Sequence, residues 1–521
     1  MIGDPVPNSQ YRGDTELRAV DSEVRPERLL PAMAAFVQKH VWRILALSAL
    51  VTAPCFWHPR IEAGDLGSHV YNAWLAQLVE GGQAPGVYLV RQWNNVLFDL
   101  ALSWTGKWMG LPAAEKLVVP VCVLIFFWGA FALISATPRT PAWYLTPAIA
   151  MIAYGWTFHS GFLNYYVSLG FAFLGAAMFW RGKGWERLWA AIWVPLIVLA
   201  HPVGLIWLVG TAAYIELSKR IPGWRRILLL PAAALALAGV RIYLPLRGKV
   251  VYNQTHFYWF NGADQLWLFG NRYAVIAVVA FLTVAAFFLY DAIRRRRAGL
   301  GWMTYRIPLE LYAISILAVA LLPNRVQFPE DPIAFSSIIP RLTSIVAVLG
   351  LCVLSCVELK KWHLGGLTAV AAVFFVFLYQ DTGLLNRAEQ HVGVLIKDVP
   401  PGGRVIYTLA APKGSRASFF VHLVDRACIG RCFTFANYEP SSGMFRVRAR
   451  EGNRVVIHDP VPRCEMEKGF YVVQPADLPI YQIYQPIEDP QGLRIRELKA
   501  GEENGRIGLR STTNPCRLPG S

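Results

Sequence analysis

Three side chains in the stretch EAGDLGSHVYNAW, residues 62–74, are of types that carry out proton transfer. Glu62, Asp65 and His69 are three and four positions apart, so they would share one face of a helix that extended backward through this stretch. A carboxylate at the water edge of a membrane cavity can accept a proton from a hydroxyl or hold a divalent cation. We therefore take all three as candidate catalytic residues, and Asp65 also as a candidate metal ligand. Asp65 is equally suited to be the N-cap of the helix that follows, and the two roles are compatible.

Arginine and histidine supply candidate groups for binding an anionic substrate. Arg241 lies inside an apolar run and Arg341 begins another, where a charge is costly and commonly functional, although snorkelling to the interface is the alternative. A planar guanidinium is well suited to phosphate. Arg325, in the loop PNRVQFPEDPIAF, could close over the same cavity. His159 in FHSGFLNYY and His201 in LAHPVG lie in tight turns where span ends are expected to meet, but their spacing is not that of a metal-ligand motif.

The elements that must position these residues are membrane helices. The chain of 521 residues is 55% hydrophobic and only 16% charged, which is outside the range of soluble globular proteins. A helix needs about 20 apolar residues to cross a bilayer, and the apolar runs are continuous rather than alternating, which favours helices over a barrel. The sequence predicts a polytopic α-helical membrane protein with eleven spans, at 42–57, 116–136, 142–157, 161–180, 188–200, 203–217, 226–246, 272–291, 307–323, 341–359 and 364–380.

Positive charges set the predicted orientation, because Lys and Arg accumulate in cytoplasmic loops. Their clusters place the N-terminal tail, residues 1–41, in the cytoplasm and residues 381–521 on the outer side. This requires the chain to reverse at His201-Pro202, so that 188–217 forms two short helices rather than one kinked span. No small-residue cleavage site ends the first run, so we expect it to be a retained span. The net charge of +16 follows largely from these loops, and we expect no nucleic-acid partner.

Two regions outside the predicted membrane are large enough to carry function. The first outer loop, 58–115 within the membrane module 42–380, contains two amphipathic helical stretches, GSHVYNAWLAQLVEGG and NVLFDLALSWTGKWMG, of the kind that lie at a membrane surface. Residues 381–521 alternate strand-like runs (RVIYTL, NRVVIHD, GFYVVQ and LRIREL) with turns, and predict a soluble α/β domain. Its cysteines, Cys428, Cys432, Cys464 and Cys516, fit two disulfides of undetermined pairing; a zinc site is the alternative.

The arrangement resembles the GT-C glycosyltransferases, which use sugars linked to polyprenyl or dolichyl phosphate. The motifs that carry the resemblance are GDLGSH at 64–69, GFLNYYVSLG at 161–170 and AHPVG at 200–204. Members often have a tandem acidic pair in the first outer loop, whereas Asp65 has no adjacent Glu. The resemblance implies that Asp65 activates the acceptor or organises the site, that Arg341 or Arg241 holds the departing lipid phosphate, and that the sugar carbon is inverted. In the metal-assisted variant of the family the cofactor would be a divalent cation, Mg²⁺ or Mn²⁺; the alternative is a reaction without a cofactor.

The predicted function is therefore transfer of a sugar from a polyprenyl-phosphate donor to a lipid, glycan or protein acceptor at the outer face of the membrane. A transporter or lipid flippase is one alternative, although no matching pair of broken helices marks an inverted repeat. A non-catalytic membrane scaffold is the other, and an Asp65 substitution without effect would favour it. Short loops and the lack of an organelle signal favour a bacterial inner membrane, with the C-terminal domain in the periplasm.

Overall fold

The computed structural model describes residues 29–221, 223–253, 256–298, 306–330, 334–409, 415–417, 422–486, 492–505 and 516. The chain divides into two units, one ending at Ala49 and one beginning at Leu50, and each is described by itself. The described part of the first unit is the N-terminal portion of helix α1 (Leu29–Thr52), which is interrupted at His40 by non-helical backbone angles. Every site discussed below lies within the second unit.

Helices make up most of the second unit. After α1 follow α2 (Leu66–Glu80), α3 (Leu97–Met109), α4 (Leu111–Ala136), α5 (Thr146–Ala153), α6 (Trp156–His159), α7 (Leu163–Arg181), α8 (Val194–Ala200), α9 (Pro202–Arg220), α10 (Leu229–Arg247), α11 (Asn271–Arg297), α12 (Arg306–Leu321), α13 (Ile338–Leu354) and α14 (Lys361–Leu395). The short strands β1 (Val87–Leu89), β2 (Lys249–Val251) and β3 (Arg325–Gln327) lie between them. Both amphipathic stretches of the first outer loop are helical, as predicted, and form α2 and α3.

Six helical segments in the described chain are long and apolar enough to cross a membrane: Leu29–Phe56, Leu111–Ala136, Leu163–Arg181, Trp224–Arg247, Asn271–Arg297 and Lys361–Asp398. Ile338–Leu354 is apolar but shorter. The protein is therefore a helical membrane protein, as the composition predicts. The other five predicted spans contain helix, but 142–157 is interrupted at Tyr154 and Gly155, and 341–359 is helical only to Leu354. None of the five is long and apolar enough to count as a span, so the predicted number of eleven is not confirmed. The long final helix continues to Leu395, beyond the predicted boundary at 380.

The membrane helices pack closely around α7. A Cβ added to Gly129 of α4 would lie 2.3 Å from the carbonyl oxygen of Gly170, so only glycine permits this approach of the two helices. Beside this contact the rings of Phe126 and Tyr166 stack with their centroids 4.4 Å apart. The close packing fixes the turn that precedes α7, and that turn contains His159.

The chain reverses at His201, as the charge pattern predicts. His201 has extended backbone angles between α8 and α9, and its carbonyl accepts a hydrogen bond from Ser168 in α7. Far from this turn, Arg187, which precedes α8, forms an ion pair with Glu216 near the end of α9. The outgoing and returning segments therefore lie side by side, and His201 is at their turn.

The C-terminal region adds a four-stranded mixed sheet in the order β5-β4-β7-β8. Its elements are β4 (Arg404–Thr408), α15 (Leu423–Ala427), β5 (Phe433–Thr434), α16 (Tyr438–Ser442), β6 (Val447–Ala449), α17 (Pro460–Lys468), β7 (Ile480–Tyr484) and β8 (Arg494–Leu498). The runs RVIYTL and LRIREL form β4 and β8 as predicted. NRVVIHD and GFYVVQ were predicted wrongly, because their backbones are bent or irregular and form no strand, apart from one isolated bridge at Val472.

The C-terminal region shares a hydrophobic core with the first outer loop. Tyr71 and Leu75 of α2 and Val392 of α14 are buried in one cluster with Val405 and Ile483 of the sheet. Strand β1 from the loop pairs with β6 in antiparallel register. The cysteines form two disulfides, as predicted, and the pairing is Cys428–Cys432 and Cys464–Cys516. The first outer loop and the C-terminal region thus pack against each other, and this packing brings their polar side chains together.

Candidate functional site

Asp65 is held by a close contact between its own loop and the turn that precedes α7. The amide of Gly64 donates to the His159 carbonyl at 2.8 Å, and that of Asp65 donates to the Ser160 carbonyl at 3.2 Å. Gly161 has a φ of +80°, and a Cβ there would lie 2.2 Å from the Asp65 nitrogen. These contacts fix the backbone of Asp65, and 29% of its side chain remains exposed. His159, predicted to bind substrate, thus supports the loop through its backbone and through its imidazole, whose Nδ1 lies 2.9 Å from the Glu62 carbonyl oxygen.

The predicted N-cap bond of Asp65 is not present within the described chain. Asp65 has helical backbone angles, φ −73° and ψ −6°, and its carboxylate makes no capping hydrogen bond to α2. An N-cap residue normally has extended angles that aim its side chain back at the first amides, which explains why this carboxylate is directed elsewhere. It is directed toward a histidine of the C-terminal region.

That histidine is His422, which lies between two carboxylates. Its Nε2 is 3.6 Å from Oδ1 of Asp65, and its Nδ1 is 2.8 Å from Oδ2 of the fully buried Asp425. Burial lowers the pKa of His422, but the hydrogen bond and charge of Asp425, together with Asp65, outweigh it and raise the pKa above its ordinary value. Gly67 permits this approach, because a Cβ there would lie 2.4 Å from the His422 carbonyl oxygen.

A second cluster lies one helical turn further along α2. Nδ1 of His69 is 2.6 Å from Oδ1 of Asp99 in α3 and 3.8 Å from Oε1 of Glu439 in α16. Burial lowers the pKa of His69, but Asp99, Glu439 and Asp65 raise it, to about 9. Burial raises the pKa of Glu439 to about 8, against the lowering effect of His69. Three elements distant in sequence therefore place an imidazole and two carboxylates together, beside Asp65.

Arg341 supplies the positive charge opposite Asp65. Its guanidinium carbon lies 4.0 Å from the ring centre of Phe162 and 5.0 Å from that of Phe335, and its carbonyl accepts a hydrogen bond from Tyr165. The half-buried side chain interacts electrostatically with Asp65. Its Nε is buried without a hydrogen-bond partner among the described residues. The aromatic rings hold the guanidinium in place while leaving hydrogen-bonding capacity available for an anion.

His201 joins this side of the site, as predicted. Its ring centre lies 5.4 Å from that of Tyr165 and 6.0 Å from that of Phe335, the same two rings that surround Arg341. His201 and Arg341 also interact electrostatically. Two of the predicted substrate-binding residues are thus close together, on the Asp65 side of the molecule.

Glu62 does not share a face with Asp65 and His69, which corrects the prediction. The helix begins only at Leu66, and Glu62 turns instead toward Arg426 of α15. Arg426 also bonds to Glu389 of α14 through two nitrogens and to Glu115 of α4 at 3.0 Å. All four side chains are buried. This cluster joins the C-terminal region to the membrane helices, and Glu62 has a structural place in it.

Burial and crowding change the titration of Glu62. Burial raises the pKa of its carboxyl, Arg426 lowers it, and the neighbouring carboxylates of Glu389 and Glu115 raise it, to about 8. Arg426 and Arg60, which lies 3.8 Å from Glu389, do not offset the burial of Glu62 beside two other carboxylates, so Glu62 retains its proton near neutral pH. The cluster is consequently sensitive to pH in a range where ordinary carboxylates are ionised.

Arg241 and Arg325 have surroundings of their own, so the prediction that they join the site is not supported. Arg241 donates to the Leu321 carbonyl at 3.0 Å and lies 4.1 Å from the ring centre of Tyr252. Arg325 is in the ribbon of β2 and β3, opposite Val251, and is exposed. Arg241 thus braces its helix against a neighbouring element, which accounts for a charge inside an apolar run.

Several residues of the site were missed from the sequence. They are Asp99, His422, Asp425, Arg426 and Glu439. Asp99 had a detectable signal, because it is the one carboxylate in an otherwise apolar, aromatic helix. The others had none: they lie in a segment whose strands suggested a separate soluble domain, and no local pattern indicates that it packs against α2.

Comparison with known proteins adds no relative. No protein-family model matches the chain, and neither the curated proteins nor the solved structures give a significant match. Function must therefore be argued from the chemistry of the residues that the fold brings together.

Proposed function

We propose that the protein is a GT-C-type glycosyltransferase that moves a sugar from a polyprenyl-phosphate donor to a lipid, glycan or protein acceptor. One observation carries the proposal: the partly exposed Asp65 packs against the turn at Ser160–Gly161 of a helical membrane protein, and the guanidinium carbon of Arg341 lies 4.0 Å from the ring centre of the next residue, Phe162. Transfer from a lipid phosphate needs a base for the incoming hydroxyl and a cation for the departing phosphate.

The reaction follows from these two charges. Asp65 accepts the proton of the acceptor hydroxyl, whose oxygen forms a bond to the sugar carbon as the bond from that carbon to the phosphate oxygen breaks. The electron pair of that bond leaves with the polyprenyl phosphate, and Arg341 stabilises its negative charge. This single displacement inverts the configuration at the sugar carbon. His201, beside Arg341, is placed to contact the same phosphate or sugar.

His422 is a positioning residue in this proposal. Held by Asp425 on one nitrogen, it presents the other nitrogen to Asp65 and fixes the orientation of that carboxylate. Of the two divalent cations that the resemblance implies, Mn²⁺ is the proposed cofactor.

The proposed topology has eleven spans, a cytoplasmic N-terminus and a C-terminal domain outside the cytoplasm, in a bacterial inner membrane. The two disulfides of the C-terminal region support this orientation, because disulfides persist in oxidising compartments such as the periplasm. The six long apolar helices and the clusters of Lys and Arg between helices support a multi-pass arrangement.

The test is turnover of a panel of polyprenyl-phosphate hexoses and pentoses by the protein in nanodiscs, with a membrane extract as acceptor. Released polyprenyl phosphate and glycosylated acceptor are detected by mass spectrometry. The proposal expects turnover of at least one donor, reduced about a hundredfold or more in Arg341→Gln and unchanged in Arg450→Gln, an exposed arginine of the C-terminal region. Absence of turnover for every donor would contradict the proposal.

A further inference from the structure

The proposed transfer leaves one cluster of the site without a role. His69, Asp99 and Glu439 each offer one ligand atom, and these atoms all lie within 4.8 Å of one another. His69 and Glu439 are buried, and Asp99 is partly buried. When both carboxylates are ionised they exceed the single positive charge that the imidazole can carry, so a bound cation would stabilise the ionised set.

Neighbouring polar groups orient the cluster. Asn164 of α7 donates to Oδ2 of Asp99 at 2.8 Å, which leaves Oδ1 directed at His69. The Ser68 hydroxyl donates to Oε1 of Glu439 at 3.4 Å. Ligand side chains of metal sites are commonly fixed by such outer hydrogen bonds. Asp99 is therefore held through its second oxygen, whereas Ser68 holds Glu439 at the same oxygen, Oε1, that faces His69.

Space for additional ligands adjoins the cluster. A cavity of about 10 Å³ is lined by both carboxylates and by Asn72, Asn95 and Ser103, among other residues. That volume is close to the minimum for one water molecule, and its lining is polar enough to hold one. Arg446 also lines the cavity, but its guanidinium donates to Ser103 and Glu80.

We propose that His69, Asp99 and Glu439 bind one divalent transition-metal ion, Mn²⁺ or Zn²⁺, with water in the adjoining cavity completing the coordination. One imidazole with two carboxylates favours these ions over Mg²⁺ and Ca²⁺, which prefer oxygen ligands alone. Ligand atoms around such an ion lie roughly 3 Å apart. The observed separations from Nδ1 of His69, 2.6 and 3.8 Å, lie on either side of that value, so small side-chain movements suffice.

The site would join three segments that are distant in the sequence. Its ligands come from α2 and α3 of the first outer loop and from α16 of the C-terminal region. The ion would also lie beside Asp65, which interacts electrostatically with both His69 and Glu439. The role of this ion next to the acceptor base rests on the proposed function. Binding of the ion does not.

Binding is measured with the metal alone, on the full chain in nanodiscs after removal of metals with a chelator. Titration with Mn²⁺ and with Zn²⁺ is expected to give one bound ion, with affinity reduced at least about tenfold in Asp99→Asn and in Glu439→Gln. The control is Asp477→Asn, which changes a buried carboxylate of the C-terminal region bonded to Tyr471. It should bind as the wild type does.

A spectroscopic measurement on the wild type covers the case in which a variant fails to fold. Electron paramagnetic resonance of bound Mn²⁺ is expected to show coupling to one imidazole nitrogen. Absence of that coupling, equal binding by the folded variants, or a wild-type Kd weaker than about 1 mM would each overturn the inference. Because no sugar donor is present, these outcomes are independent of whether the protein transfers sugar.

Discussion

Oδ1 of Asp65, at the start of α2, lies 3.6 Å from Nε2 of His422, which immediately precedes α15. The two residues lie far apart in the sequence, and Asp425 holds the other nitrogen of the histidine. The site is therefore composite: the first outer loop supplies the candidate base, and the C-terminal region supplies the group that orients it. Removing either region would leave the site incomplete.

The contact between Gly67 and His422 provides a test of this composite site. Gly67→Ala places a methyl group 2.4 Å from the His422 carbonyl oxygen, and backbone on both sides prevents an easy adjustment. We expect sugar transfer to fall by at least about tenfold, because a small displacement of a catalytic group is costly. The matched control is Gly210→Ala in α9, where nothing lies within 4 Å. Equal activity of the two variants would show that this contact does not matter.

The ion pairs of Arg426 should contribute strongly to the packing of the C-terminal region against the membrane helices. Arg426→Gln leaves Glu62, Glu115 and Glu389 buried without their common cation, and breaking a buried ion pair in this way costs about 3–5 kcal/mol. We expect a large drop in Tm in detergent and faster proteolysis of the C-terminal region. Arg387→Gln, at an exposed position of α14, is the control and should leave Tm unchanged.

Glu62 makes stability depend on pH in an unusual direction. Its pKa is raised from 4.5 to about 8, so between these values the folded protein binds more protons than the unfolded chain. Stability therefore decreases as pH rises through this range, by up to about 1.4 kcal/mol per pH unit. Glu62→Gln removes the titrating group. Its Tm, measured from pH 5 to 8, should rise relative to that of the wild type as pH increases; a constant difference would contradict this assignment.

The cysteines divide into two classes that alkylation can separate. Cys428, Cys432, Cys464 and Cys516 are disulfide-bonded, whereas Cys55, Cys122, Cys352 and Cys356 are free and buried. Protein denatured without a reductant should therefore incorporate label only at the second group, and reduction should expose the first. Peptide mapping of protein isolated from its native membrane shows which cysteines carry the label. Labelling of Cys428 before reduction would argue against an oxidising compartment.

The sequence predicted the helical elements well because continuous apolar runs and their bounding charges are local signals. It correctly identified the start of α2 at Asp65 and the reversal at His201, where a proline follows a histidine between two charge clusters. It placed Glu62 wrongly because helical spacing was extended across residues that form a loop. Residues share a helix face only if the helix includes all of them. The first residue of a helix is the feature that a sequence predicts least reliably.

The composite part of the site was beyond sequence reasoning for a different reason. His422, Asp425 and Glu439 meet α2 through a shared core that includes Tyr71 and Val405, and this packing is a tertiary property. Apolar residues of α2 could equally have faced lipid. Arg241 shows the converse: a charge inside an apolar run was interpreted as functional, while its partner, the Leu321 carbonyl, is a backbone group with no sequence signature.

The most direct test of the central claim compares sugar transfer by the wild type with that by Asp65→Asn in the same nanodiscs. The exposed Asp459, which caps α17, provides the matched control through Asp459→Asn. The account predicts that transfer by Asp65→Asn falls at least about a hundredfold while Asp459→Asn retains full activity, since only the first substitution removes a general base. Equal transfer by the wild type and a correctly folded Asp65→Asn variant would contradict it.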